Sequence, residues 1–185
     1  TEEMNDLPPT LNDIDARLYF TLLSARKTAY ALVQDSTKPL SRCLAELLDF
    51  AEELQGQIGA LPTATEKMNF RSVFQNPELI NPQWPEKVAA GDLTAPVGES
   101  HFGRQIAMYF LFRYFLNLGL EGDVLSAAKM TVVGVLVPTY FGADSWVMHL
   151  WSKETEHSDV NMERYRRLLR TADCLSVPAL KSRLV

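Results

Sequence analysis

The sequence is short of cysteine, of glycine-rich loops and of positive charge. Its two cysteines, Cys43 and Cys174, lie far apart and form neither a C-x-x-C motif nor a pair with the spacing of metal ligands. Composition favours two reduced thiols in a cytoplasmic protein over one disulfide. The nine glycines are scattered and form no G-x-G-x-x-G, P-loop or G-x-S-x-G motif. These absences exclude the familiar loops that bind nucleotides and the nucleophile elbow of the serine hydrolases.

The charge balance is acidic, with 18 basic against 23 acidic residues and a formal net charge of -5. A nucleic-acid-binding surface needs a basic field, so no nucleic-acid partner is predicted. The same balance weakly favours a basic or lysine-bearing partner. The 185 residues, 46% hydrophobic and 22% charged, are typical of one globular domain with one sizeable core.

Apolar residues recur every three or four positions along much of the chain, which is the period of an amphipathic helix. Two stretches, 100–118 and 124–141, are apolar on nearly all sides, and we expect them to form a central helix pair. Arg113 interrupts the first, and Lys129 and Pro138 interrupt the second, so no membrane span is predicted. The predicted helices cover residues 11–34, 39–57, 63–74, 83–90, 100–118, 124–141, 143–156 and 159–173, with one further turn within 176–185.

The pattern therefore predicts an all-α bundle of about six to eight helices in a single domain over residues 1–185. Asp123 and Ser158 are the expected N-caps of two of its helices. Residues 60–98 hold five of the ten prolines and predict an irregular connection with two short helices. A connection of this kind is often a lid or a docking surface.

The densest polar cluster lies at residues 152–159, and three interpretations of it remain open. Glu154 and His157 have the i, i+3 spacing of metal ligands in di-iron bundles, but such sites need a second pair and two further carboxylates, so no metal is expected. Glu154 or Glu156 could act as a general base with His157 as proton shuttle. The third interpretation, a charged helix end followed by the Ser158 cap, is favoured by the residues alone.

Arg113 stands in the middle of an otherwise apolar helix. A guanidinium there needs a partner or access to solvent, because an unpaired buried charge is very costly. A carboxylate from residues 154–156 is the natural partner, forming either a structural ion pair or part of a substrate site. The alternative is an arginine whose head reaches solvent at the domain surface.

The order of several segments resembles the C-terminal part of the flagellin lysine-N-methylase (FliB) family. The most specific element is Ser-(Lys/Arg)-Glu-x-Glu-His-Ser, found here at residues 152–158, and the resemblance extends from about residue 12 to 170. The segments that carry it are 39–48, 50–55, 109–116, 123–129 and 151–161.

The resemblance implies a bacterial protein that acts on flagellin lysines with S-adenosylmethionine as methyl donor. By position, it makes Arg113, Glu154, Glu156 and His157 the candidate catalytic residues. Family members also have a cysteine-rich region near the N-terminus, suited to a metal or iron–sulfur centre, and this sequence has no such cluster. An iron–sulfur cluster is therefore not supported within this chain. Two interpretations follow. The first is a protein lysine N-methyltransferase acting on flagellin lysines, or only the substrate-handling, C-terminal part of one. The second is a non-catalytic helical protein-interaction domain, and the sequence gives no oligomeric state for either.

Overall fold

The computed structural model describes residues 13–142 and 144–185, and within them it is an all-α bundle, as predicted. Eight α-helices and two short 3-10 helices, Phe70–Phe74 and Asp173–Leu175, are present in this part of the chain. The α-helices are α1 (Asp13–Gln34), α2 (Leu40–Ile58), α3 (Gln83–Ala90), α4 (His101–Leu120), α5 (Val124–Phe141), α6 (Ser145–Thr155), α7 (Asp159–Thr171) and α8 (Val177–Arg183).

The antiparallel pair α4 and α5 forms the centre of the fold, which confirms the predicted apolar helix pair. Helix α5 packs against α2, α3, α4, α6, α7 and α8, and Thr139 is its only residue that is not buried. Each fully buried valine or leucine contributes about 1.5–3 kcal/mol. Gly134 allows the close approach of the pair, since a Cβ there would lie 2.4 Å from the Phe110 ring.

Helix α5 is also long and apolar enough to cross a bilayer by length and composition, and it is the one such helix among the described residues. Within the structure, however, 94% of this stretch is buried against other parts of the protein. Burial of this kind is what the core helix of a helical bundle shows.

The predicted caps are confirmed at both positions. The Asp123 carboxylate accepts the backbone N–H of Ser126 at 3.2 Å, and the Ser158 hydroxyl accepts that of Asn161 at 3.2 Å. Each cap satisfies one of the backbone donors that a helix N-terminus leaves unpaired. Helices α5 and α7 therefore begin where the sequence predicts.

The helix predicted over residues 63–74 is wrong except for its last turn, the 3-10 helix Phe70–Phe74. The backbone N–H groups of Thr65 and Glu66 instead donate to the carbonyl of Thr171, both at 2.9 Å, and Asp173 N–H donates back to the Glu66 carbonyl at 2.9 Å. The segment thus forms backbone hydrogen bonds with the end of α7 instead of the hydrogen bonds within a helix that the sequence predicts. The second short helix, predicted over 83–90, is confirmed as α3.

Candidate functional site

Glu156, directly after α6, is held against α4 by several donors. Its Oε2 accepts hydrogen bonds from the hydroxyls of Tyr109, at 3.1 Å, and Tyr114, and forms an ion pair with Arg113 Nε at 3.0 Å. Arg113 Nε also donates to the Tyr114 hydroxyl at 3.1 Å. The expected pairing of Arg113 with an acid of residues 154–156 is thus present, and the acid is Glu156. Arg113 itself reaches solvent, with 52% of its side chain exposed against 4% for Glu156.

The surroundings keep the phenols protonated, so that they act as donors to the carboxylate. Burial and the neighbouring Glu156 carboxylate raise the pKa of Tyr114 well above its ordinary value. The same two causes raise the pKa of Tyr109. Contact with the Tyr114 hydroxyl is the main reason why the pKa of Arg113 is raised. Glu156 is therefore a positioned carboxylate whose charge is balanced by Arg113.

A groove of about 380 Å³ runs between α4 and α6 beside this cluster, and we call it the α4–α6 groove. Its walls combine aromatic and apolar side chains with one carboxylate, that of Glu156. The lining residues are Phe102, Gln105, Ile106, Tyr109, Phe110, Ser145, Met148, His149, Ser152 and Glu156. Aromatic faces beside a carboxylate can hold an organic cation, because ring faces attract positive charge.

Glu154, two residues earlier, lies on a different side of α6. Its side chain is fully buried, and its carboxylate accepts the backbone N–H groups of Ile80, at 3.2 Å, and Asn81. Its backbone carbonyl accepts a hydrogen bond from Asn161 Nδ2 at 2.6 Å. Because residues i and i+2 point about 200° apart around a helix, Glu154 and Glu156 do not share a site. Glu154 anchors the turn that precedes α3.

His157 is exposed in the turn between α6 and α7. Its backbone N–H donates to the Ser152 carbonyl at 3.3 Å, and its imidazole makes no hydrogen bond with any described residue. The structure therefore places His157 on the surface while Glu154 is buried, and the i, i+3 spacing does not produce a joint site. No group of three or more His, Cys, Asp or Glu side chains within residues 13–142 and 144–185 is placed to hold a metal ion.

The tyrosines of the cluster were missed by the site prediction from sequence. Tyr109 lies one turn before Arg113, and Tyr114 follows it directly, in a helix that is otherwise apolar. Hydroxyls beside a lone arginine in such a helix are the signal that points to a shared polar partner. His149, on the wall of the α4–α6 groove, gave no comparable signal.

Comparisons of the chain with protein-family models, with curated proteins and with solved structures find no match. The resemblance to the flagellin lysine-N-methylase family therefore stays a prediction. Function has to be inferred from the contacts of the chain itself.

Proposed function

We propose that this chain is a lysine-handling helical domain of the flagellin lysine-N-methylase type, and that its α4–α6 groove receives a lysine side chain of a protein substrate such as flagellin. S-adenosylmethionine supplies the methyl group in this proposal, and the chain supplies substrate binding. The observation that carries the proposal is a buried, fixed carboxylate, Glu156, at a groove walled by aromatic rings.

The groove suits both parts of a lysine side chain. The four-carbon stem can pack on apolar walls such as Phe102 and Met148, while the ammonium can approach the carboxylate and the face of Tyr109. A carboxylate held by donors before the substrate arrives loses little freedom on binding, and this preorganisation favours affinity.

Glu156 keeps unused acceptor capacity although Arg113 already balances its charge. Both Arg113 and Tyr114 approach Oε2, whereas Oε1 receives only a long hydrogen bond of 3.4 Å from the Tyr109 hydroxyl. A carboxylate offers about four lone-pair sites. Oε1 is therefore the atom proposed to accept a hydrogen bond from the substrate ammonium.

The test compares the binding of flagellin with that of the same flagellin after acetylation of its lysines, measured by calorimetry. We expect Glu156→Gln to weaken the binding of unmodified flagellin at least tenfold, which corresponds to about 1.4 kcal/mol. Glu163→Gln, on an exposed position of α7, is the matched control and should bind as the parent does. Equal binding of acetylated flagellin, or an unchanged dissociation constant for Glu156→Gln, would refute the proposed lysine site.

A second candidate function is a non-catalytic protein-interaction domain, and the distribution of exposed aromatic residues favours it. The four exposed aromatic side chains of the described residues, Phe102, Tyr109, Phe112 and Trp146, all lie on α4 and α6. Aromatic residues are enriched at the centres of protein interfaces. Binding of native and of acetylated flagellin separates the two functions, because an interaction domain binds its partner independently of lysine acetylation, whereas a lysine-handling domain does not.

A further inference from the structure

Lys129 is a buried amine in the central helix α5. Only 3% of the residue is exposed, and its Nζ donates one hydrogen bond, to the Leu169 carbonyl at 2.7 Å. An ammonium has three donors, and none of the carboxylates in the described part of the chain lies within ion-pair distance of this one. Lys129 thus lacks the paired environment that buried lysines usually have.

The charged groups around Lys129 only partly compensate for its burial. Burial lowers the pKa of Lys129 to about 8, although the negative charges of Asp123 and Glu52 act in the opposite direction. Arg170 approaches the same region, with its Nε 4.0 Å from Asp123 Oδ2. At neutral pH, Lys129 therefore has a neutral fraction about two orders of magnitude larger than that of an ordinary lysine.

Lys129 also lines a cavity of about 190 Å³, which has the size of a small molecule. Glu52, Arg170 and Ser176 contribute polar groups to the wall, and Leu125 and Val177 contribute apolar ones. The cavity shares no lining residue with the α4–α6 groove. It therefore combines an amine, a cation and a carboxylate at a place that the proposed lysine site does not use.

We propose that Lys129 is a reactive amine that forms an imine with a small carbonyl compound carrying a carboxylate, such as a 2-oxo acid or an aldehyde acid. The neutral Nζ attacks the carbonyl carbon, a C–N bond forms, and the carbonyl oxygen becomes the hydroxyl of a carbinolamine. The C–O bond then breaks and the oxygen leaves as water, carrying both protons of the amine, so the imine forms without any oxidant or reductant. Glu52 is the carboxylate on the wall that can relay protons, and Arg170 is the cation that binds the carboxylate of the ligand.

The test traps the imine formed with glyoxylate, the smallest aldehyde acid, by reduction with cyanoborohydride at pH 7.5. Peptide mapping by mass spectrometry then gives the labelling rate of each lysine and of the α-amino group separately. We expect Lys129 to be labelled at least tenfold faster than exposed Lys67. Lys129→Met should abolish this fast labelling, whereas the matched control Lys67→Met should retain it. Labelling spread evenly over the exposed lysines, or none at Lys129 in a protein with a native circular dichroism spectrum, would overturn the proposal.

A neutral aldehyde tests the role assigned to Arg170. With Arg170→Gln, labelling of Lys129 by glyoxylate should slow at least fivefold, while labelling by acetaldehyde should keep its rate. Equal slowing with both aldehydes would overturn the carboxylate-binding role, because Arg170 would then act on the amine or on the fold. Glyoxylate labelling and flagellin binding are independent measurements, so failure of the proposed lysine site is distinguishable from failure of this one.

Discussion

Replacing Glu154 with glutamine should destabilise the protein by loosening the turn that precedes α3. The buried carboxylate accepts the backbone N–H groups of Ile80 and Asn81, and a carboxylate can accept both because each oxygen is an acceptor. Glutamine offers one acceptor oxygen and one NH₂ group. In the variant, one of the two backbone N–H groups therefore faces another donor.

The size of the effect follows from the two contacts. A hydrogen bond to a charged acceptor contributes about 1.5–3 kcal/mol, and a buried donor left without a partner costs about 1–3 kcal/mol. We therefore expect Glu154→Gln to lower the free energy of unfolding by about 2–4 kcal/mol. That is a large part of the 5–15 kcal/mol typical of a single domain. Glu163→Gln, on an exposed position of α7, should stay within about 0.5 kcal/mol of the parent.

Urea unfolding measures the global effect, and hydrogen exchange followed by NMR measures the local one. The amides of Ile80 and Asn81 should lose protection in Glu154→Gln by more than the amides of α5 do, since the change acts on that turn first. An unfolding free energy within 0.5 kcal/mol of the parent, with unchanged exchange at both amides, would refute the structural role. If flagellin binding were lost at the same time, Glu154 would instead belong to the functional site.

Three further predictions concern the core and the helix junctions. Lys129→Met should stabilise the protein by about 3 kcal/mol at pH 7, and the gain should fall below about 0.5 kcal/mol by pH 10.5. Folding lowers the pKa of Lys129 to about 8, so above pH 8 the unfolded parent binds more protons than the folded parent, whose stability therefore rises with pH. Urea unfolding at both pH values measures this, and a pH-independent difference would contradict it. Arg104→Lys should lower the thermal midpoint by several degrees, since one ammonium cannot replace a guanidinium that binds a carboxylate and three backbone carbonyls. Gly134→Ala should lower the free energy of unfolding in urea by about 1–3 kcal/mol, because the added Cβ would lie 2.4 Å from the Phe110 ring. Gly56→Ala is the control: its Cβ would meet nothing within 4 Å, and it should raise the free energy of unfolding by about 0.5–1 kcal/mol.

The helical architecture was predictable because local patterns and tertiary packing agree along most of the chain. Helix α5 is apolar on all sides and lies where neighbours cover all sides. Asp123 and Ser158 cap their helices through their own backbone, a contact that needs no distant residue. Elements specified by residues within one or two turns are therefore the ones that sequence reasoning placed correctly.

The segment 63–69 shows where local reasoning fails. Thr63 and Glu66 have the spacing of a capping box, which favours a helix start. The structure instead pairs Glu66 with the end of α7, and its carboxylate accepts a hydrogen bond from the Thr171 hydroxyl. These partners lie 105 residues away in sequence, so no window along the chain contains the interaction that decides the outcome.

Residues 152–158 show the same limit for the site. The motif places two acids and a histidine close in sequence, but the structure directs Glu154 into the turn before α3, Glu156 towards α4, and leaves His157 on the surface. The interpretation of this segment as a helix end agrees with α6 ending at Thr155 and with the Ser158 cap. Which acid faces which helix depends on the rotation of α6 within the bundle, and periodicity alone does not give it.

The segment around α6 and α7 also joins three parts of the fold, and this changes which experiment can test the lysine proposal. Besides capping α7, the Ser158 hydroxyl donates a hydrogen bond to Glu78 Oε2 at 2.5 Å. The Asn161 side chain accepts a hydrogen bond from the backbone N–H of Glu78 and donates one to its carbonyl. Glu154 and Ser158 thus have structural roles that account for their presence without any chemistry. Loss of function on mutating either, accompanied by a lower free energy of unfolding, would report a disturbed fold. Glu156 also bonds side chains of α4, but it lines the α4–α6 groove and its Oε1 receives only one long hydrogen bond. Its substitution bears directly on lysine recognition when flagellin binding is lost and the free energy of unfolding is unchanged.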